Sequence, residues 1–303
     1  MQKIKNEPTS VAKIGVVTVD LITVAPTLFV VLWSTGFIGS RYGIPYAEPF
    51  TLTALRMVIV VAFLVLFALL FRAPWPTSKS QIAHIAFAGL LVHATYLSGV
   101  LYAITWQLPL GFIALIAGLQ PIFTALISRY LLQERLHKWQ WLGMLLGLIG
   151  VLMVVASKYV LDEVKLDALI AATIAMVGIT LGTLYQKRFC QTMDLRTGGV
   201  IQFGATGLVV FMFALIFETR VVIWAPQFLF SLFWLAVVLS LGAISLLYLL
   251  IRHGAATKVA SLFFLTPAVT AVMAYVLFDE ALTLLAIGGL VVSACGVALV
   301  SRR

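Results

Sequence analysis

Apolar positions run along this chain in ten blocks, at about 20–40, 49–71, 80–104, 109–132, 138–157, 166–187, 198–217, 228–251, 256–278 and 282–300. A helix that crosses a bilayer needs roughly 20 apolar residues at a rise of 1.5 Å each, and every block meets that length. The polar positions between blocks form short connectors rich in turn formers, as in GIPYAEP (43–49), RAPWPTSKS (72–80) and WAPQ (224–227). No soluble domain of useful size is left outside the blocks. The pattern predicts an all-α integral membrane protein with ten transmembrane helices.

Two stretches repeat one another. Residues 119–150 read LQPIFTALISRYLLQERLHKWQWLGMLLGLIG, and residues 265–296 read LTPAVTAVMAYVLFDEALTLLAIGGLVVSACG. At a constant offset of 146, Pro121 falls on Pro267, Thr124 on Thr270, Ala125 on Ala271, Glu134 on Glu280, Gly143 on Gly289 and Gly150 on Gly296. An ungapped register near half the chain length reads as a duplication. It predicts two five-helix repeats, 1–157 and 158–303. Five is odd, so the second repeat enters the membrane from the opposite side and the repeats are inverted.

Composition and charge sharpen this picture. The chain is 62% hydrophobic and 10% charged, with mean hydropathy +1.11. Soluble domains carry about 25% charged residues, so most of this exterior must face a lipid bilayer. Of the 20 Lys and Arg residues, Arg41, Lys158, Lys165 and Arg220 fall on one side of the spans and Arg56 within one. The other fifteen fall on the opposite side, which places both termini in the cytoplasm. The basic residues are scattered singly, which argues for a membrane surface and against nucleic acid. Cys190 and Cys295 show no metal-ligand spacing, so neither a metal nor a disulfide is expected. The polar N-terminus lacks a short apolar core with a cleavage site, and no removable signal peptide is expected.

The residues resemble the EamA-type branch of the drug/metabolite transporter superfamily. The likeness rests on the mid-helix proline, the corner Glu and the glycine-spaced last helix of both halves. LWSTGF (32–37), LTALRM (52–57) and GTLYQKRF (182–189) resemble the motifs of the first, second and sixth helices. The resemblance implies a ten-helix carrier of the bacterial inner membrane, exporting amino acids or related small metabolites. No cofactor is expected.

Candidate chemistry is sparse. Pro121 and Pro267 each remove a backbone N–H and free a carbonyl about four residues earlier, which marks both as hinges around a cavity. Gln120 and Thr266 place polar side chains beside them. His93 and Tyr96 lie mid-span on the third helix, where an ionisable group marks a functional site by default, or else is satisfied by a neighbouring helix. Trp33, Ser34 and Thr35 on the first helix face the same question as Thr183, Tyr185 and Gln186 on the sixth. They bind cargo, or the hydroxyls bond back to their own helix. Tyr248, the repeat mate of Tyr102, is a further candidate to bind cargo. Arg56 reads first as a structural charge that snorkels or pairs with Glu48, and second as an anchor for a substrate carboxylate. Glu134 and Glu280 read as structural corner charges at the starts of the fifth and tenth helices. Gly143 and Gly147, echoed by Gly289 and Ser293, support close packing within the fold or across a homodimer.

The chain shows no HExxH, G-x-S-x-G or Walker A signature and no two acids within one helix core, which argues against an enzyme or ATP-driven pump. A duplicated inverted repeat favours a carrier over a channel. The cargo expected is a small-molecule amino acid, with efflux of hydrophobic or cationic compounds as the alternative. With no mid-membrane carboxylate, transport down a gradient or with weak proton linkage is expected.

Overall fold

A computed structural model describes residues 12–108, 110–134, 136–156, 165–278 and 283–302. The fold is an all-α membrane bundle of ten helices in two five-helix repeats. In the first repeat they are α1 (Ala12–Gly43), α2 (Pro49–Leu70), α3 (Lys79–Thr105), α4 (Leu110–Ala117, then Gln120–Leu131) and α5 (Lys138–Ala156). The second holds α6 (Leu166–Phe189), α7 (Leu195–Phe217), α8 (Pro226–His253), α9 (Ala256–Ser261, Leu262–Leu265, then Thr266–Phe278) and α10 (Leu284–Ser301). Among the described residues, nine helices are long and apolar enough to cross a bilayer, and α4 comes in shorter pieces. Large apolar side chains such as Leu69, Leu152, Ile174, Phe217, Phe233 and Val276 are exposed around the outside. In a bilayer this belt meets acyl chains.

The helix neighbours obey the duplication. α5 packs on α10 and α2 on α7, so each pair is its own repeat mate. α3 packs on α6 as α8 packs on α1, and α4 meets α6 as α9 meets α1. These contacts between the halves therefore recur with the roles of the halves exchanged. The closest of these seams is α5–α10. A Cβ placed on Gly143 would lie 2.6 Å from the Gly296 carbonyl oxygen, and one on Gly289 would lie 2.6 Å from the Gly150 carbonyl oxygen. The two backbones touch because no side chain separates them. The glycine face expected to serve either the fold or a homodimer is thus used inside the fold.

Four irregularities sit at symmetric places. α3 is π-helical over Leu90–Thr95 and α8 over Trp234–Ala243, stretches that overlap at the offset of 146. α4 is interrupted between Ala117 and Gln120, just before Pro121. α9 tightens to a 3₁₀ turn at Leu262–Leu265, just before Pro267. A proline takes away one N–H of the ladder, and the backbone before it must find other partners.

The ends of the bundle are tied by carboxylates. At the end holding the α1–α2 and α7–α8 corners, Glu48 accepts from Thr219 N and Oγ1 at 2.7 Å and from Arg220 N at 3.1 Å. Glu48 therefore does not pair with Arg56, which corrects that expectation. Glu218 accepts from Phe50 N, Thr51 N and Thr51 Oγ1, each at 2.7 Å, and from the Tyr102 hydroxyl at 2.9 Å. At the opposite, basic end, Glu134 was expected to cap the start of α5. Its carboxylate instead crosses to the second half, accepting from Ala256 N at 2.8 Å and Thr257 Oγ1 at 3.1 Å. A helix start offers free N–H donors and a positive dipole end, and α9 presents both within reach of the α4–α5 corner. Glu280 lies outside the described residues.

Candidate functional site

α1, α2, α3 and α8 enclose a narrow cavity of about 40 Å³, lined by Trp33, Ser40, Arg56, Tyr96, Leu235 and Leu239 among others. Trp33 is placed by close packing of α1, whose Gly36 lies against the Leu239 side chain. Its ring stacks on Tyr96, with centroids 5.7 Å apart and 24° between planes, and meets Phe263 edge-on at 5.1 Å. Arg56 is buried on α2 and its Nε donates to the Ser240 hydroxyl at 2.8 Å. Ser240 lies in the π-helical stretch of α8. Among the described residues Arg56 has no carboxylate partner.

The other half builds the same arrangement with different chemistry. Gln202 on α7 stands at the offset of 146 from Arg56 and faces the π-helical stretch of α3. A Cβ on Gly89 would lie 2.6 Å from Gln202 Cα, so the two helices touch there. Phe203, next in sequence, stacks on His93 with centroids 4.1 Å apart. His93 Nε2 lies 3.2 Å from the Tyr248 hydroxyl. Gln202 Nε2 donates to Gln186 Oε1 at 2.8 Å, and Gln186 Nε2 reaches Met193 Sδ at 3.5 Å. His93 Nδ1 and Gln202 Oε1 are buried without a partner among the described residues. Two polar foci thus flank the middle of the bundle, one built on the Arg56 guanidinium and one on the side chains of His93, Gln202 and Tyr248.

A third polar layer lies where α4 and α9 break. Gln120, Thr124 and Thr266 are buried, and their side-chain polar atoms lack partners among the described residues. Ser34 Oγ donates to Val30 O at 2.7 Å and lies 3.4 Å from Thr266 O, which links α1 to this layer.

The expected site residues therefore divide. Trp33 and Tyr96 line one cavity, with Arg56 joining them. His93 and Tyr248 pair away from it, because the π-helical turn alters the angular spacing that would have put His93 close to Tyr96. Thr35 turns outward: it bonds Leu32 O at 2.6 Å and accepts from Trp234 Nε1 at 2.9 Å. Thr183 donates to Ile179 O at 2.8 Å, one turn back in its own helix. Tyr185 sits at the basic end, 2.6 Å from His84 Nδ1 and packed on Phe87 and Phe189. Because the Thr183 hydroxyl is already used by its own backbone, Thr183→Val is expected to leave transport within about twofold of wild type. A tenfold loss in a proteoliposome flux assay would put that hydroxyl on the cargo. Sequence reasoning missed Ser240, Gln202 and Glu218. Only Gln202 had a signal, its place at the offset of 146 from Arg56.

The comparisons with known proteins meet this geometry. The EamA-like transporter family matches residues 22–156 and again 166–302. The chain belongs to that family. The transporter is 24% identical over 282 residues to the uncharacterized transporter YvbV of Bacillus subtilis, covering 90% of this chain and 89% of the relative. It is 25% identical over 266 residues to the probable amino-acid metabolite efflux pump of Escherichia coli, covering 84% of this chain and 86% of the relative. A solved crystal structure superimposes with a TM-score of 0.74 at 21% identity, over 93% of this chain and 96% of its own. That likeness speaks for the fold. The transporter is a multi-pass membrane protein whose cargo is a small molecule.

Proposed function

We propose that the protein is a secondary carrier that exports amino acids by alternating access, with Arg56 taking the carboxylate of the cargo. The observation that carries this reading is Arg56 itself, a buried guanidinium that meets one serine hydroxyl and, among the described residues, no acid. Holding an arginine within a membrane span costs up to about 2.5–3.5 kcal/mol on insertion scales. A carboxylate arriving in the cavity offsets that cost, and guanidinium binds it through two parallel hydrogen bonds. Trp33 and Tyr96 offer flat faces for the cargo side chain. The printed name of the Escherichia coli relative supports the same cargo class. In this reading the basic end is cytoplasmic, the membrane is the inner one, and the halves 1–157 and 158–303 rock about the α4 and α9 breaks. The cargo leaves chemically unchanged and moves down its gradient.

The test is counterflow in proteoliposomes with free amino acids, their methyl esters and a lipophilic cation. Free amino acids exchange, while esters and the cation do not. Arg56→Gln lowers amino-acid exchange by about 10- to 100-fold, the loss of one or two charge-assisted hydrogen bonds. Exchange of the lipophilic cation alone, or an unimpaired Arg56→Gln, defeats the reading.

A further inference from the structure

In this conformation the central cavity, at about 40 Å³, has room for a few waters, so an amino acid reaches Arg56 only once the halves have moved. The substrate-sized polar opening lies elsewhere. At the basic end a pocket of about 470 Å³ is lined by Glu134, Lys187, Arg188, Phe189, Gln191 and Thr192, with Leu132 at its wall. Small-ligand sites fall at about 300–1,000 Å³, so this opening has the size that the central cavity lacks.

Its charges are arranged for exchange. Lys187 Nζ donates to the Gly254 carbonyl oxygen of the α8–α9 corner and lies 3.6 Å from Glu134 Oε1. A well-made ammonium–carboxylate hydrogen bond is about 2.7–2.9 Å long, so the lysine holds this acid loosely and keeps donors to spare. Both side chains are within reach of solvent, at 14% and 17% exposure. Glu134 is already occupied by the first N–H groups of α9 and the Thr257 hydroxyl. Arg188, the next residue, is exposed and adds a second cation to the same pocket.

We infer that this pocket is the loading site for the amino-acid cargo: its carboxylate binds Lys187 and Arg188 and displaces Glu134 from the lysine. The inference rests on the amino-acid carrier reading above and specifies where that cargo first binds. Loading then has a mechanical result. Lys187 joins the α6 end to the α8–α9 corner and to the α4–α5 corner, so drawing it onto the cargo loosens the start of α9. The break before Pro267 lies on the same helix.

The experiment measures amino-acid counterflow in vesicles of known sidedness, with saturation curves taken separately at the basic face and at the opposite face. Lys187→Gln is expected to raise the half-saturation concentration at the basic face about fivefold and leave the opposite face unchanged. Arg188→Gln, an exposed substitution that spares folding, is expected to raise it about threefold at the same face. Lys187→Arg keeps most of the affinity. No change in either Gln variant, or equal changes at both faces, overturns the loading site while leaving Arg56 and the carrier reading standing. Failure of the wild type to exchange any amino acid overturns both.

Discussion

Gly296→Val is expected to prevent stable assembly of the bundle. A Cβ on Gly296 would stand 2.5 Å from the Gly143 carbonyl oxygen and 2.9 Å from Gly147 Cα, both backbone atoms with no rotamer to yield. Overpacking against movable side chains costs about 1–3 kcal/mol, and here a whole helix must shift instead. The variant should show little monodisperse protein on size exclusion, or an apparent unfolding midpoint lower by about 10 °C or more. Gly204→Ala is the internal control, since a Cβ there meets nothing within 4 Å. It should unfold at or slightly above the wild-type temperature, because alanine is the better helix former. A Gly296→Val protein as stable as Gly204→Ala would mean that α5 and α10 do not touch along this face.

Glu218→Ala is expected to be the costliest change at the end opposite the basic one. One buried carboxylate there receives two N–H groups of the first turn of α2, the Thr51 hydroxyl and the Tyr102 hydroxyl. Each buried donor left unpaired costs about 1–3 kcal/mol, so the two backbone groups alone account for several kcal/mol. The apparent midpoint should fall by about 5–15 °C, at roughly 2–4 °C per kcal/mol. Glu218→Gln keeps one acceptor oxygen and should lose about half as much. A fall of under about 2 °C in Glu218→Ala would show that water takes over the α2 start without penalty.

The sequence made the large features legible for a physical reason. A lipid-facing helix must stay apolar over its whole length, so the spans stand out, and a duplication leaves Pro121 over Pro267 at a fixed offset. Partner choice was less accessible. Glu134 looked like a local cap for α5 because local sequence carries no trace of α9 lying beside that corner. Thr35 and Thr183 looked like cargo ligands because a hydroxyl on a helix reads the same whether it faces a cavity or its own carbonyl. The π-helical stretches escaped because a wider turn changes angular spacing without changing composition, and with it went the placement of His93 relative to Tyr96. The offset itself held unused information. It takes Arg56 to Gln202 and one π-helical stretch onto the other, so the two polar foci were encoded in one number.

The α5–α10 seam also sets the order of events during synthesis. α5 leaves the ribosome at the middle of the chain and α10 near its end, so the glycine face of α5 waits in the membrane while α6 to α9 are made. Until Leu284–Ser301 arrives, neither half can close on the other along its tightest contact. A chain cut after α9 would lack the helix that closes this seam.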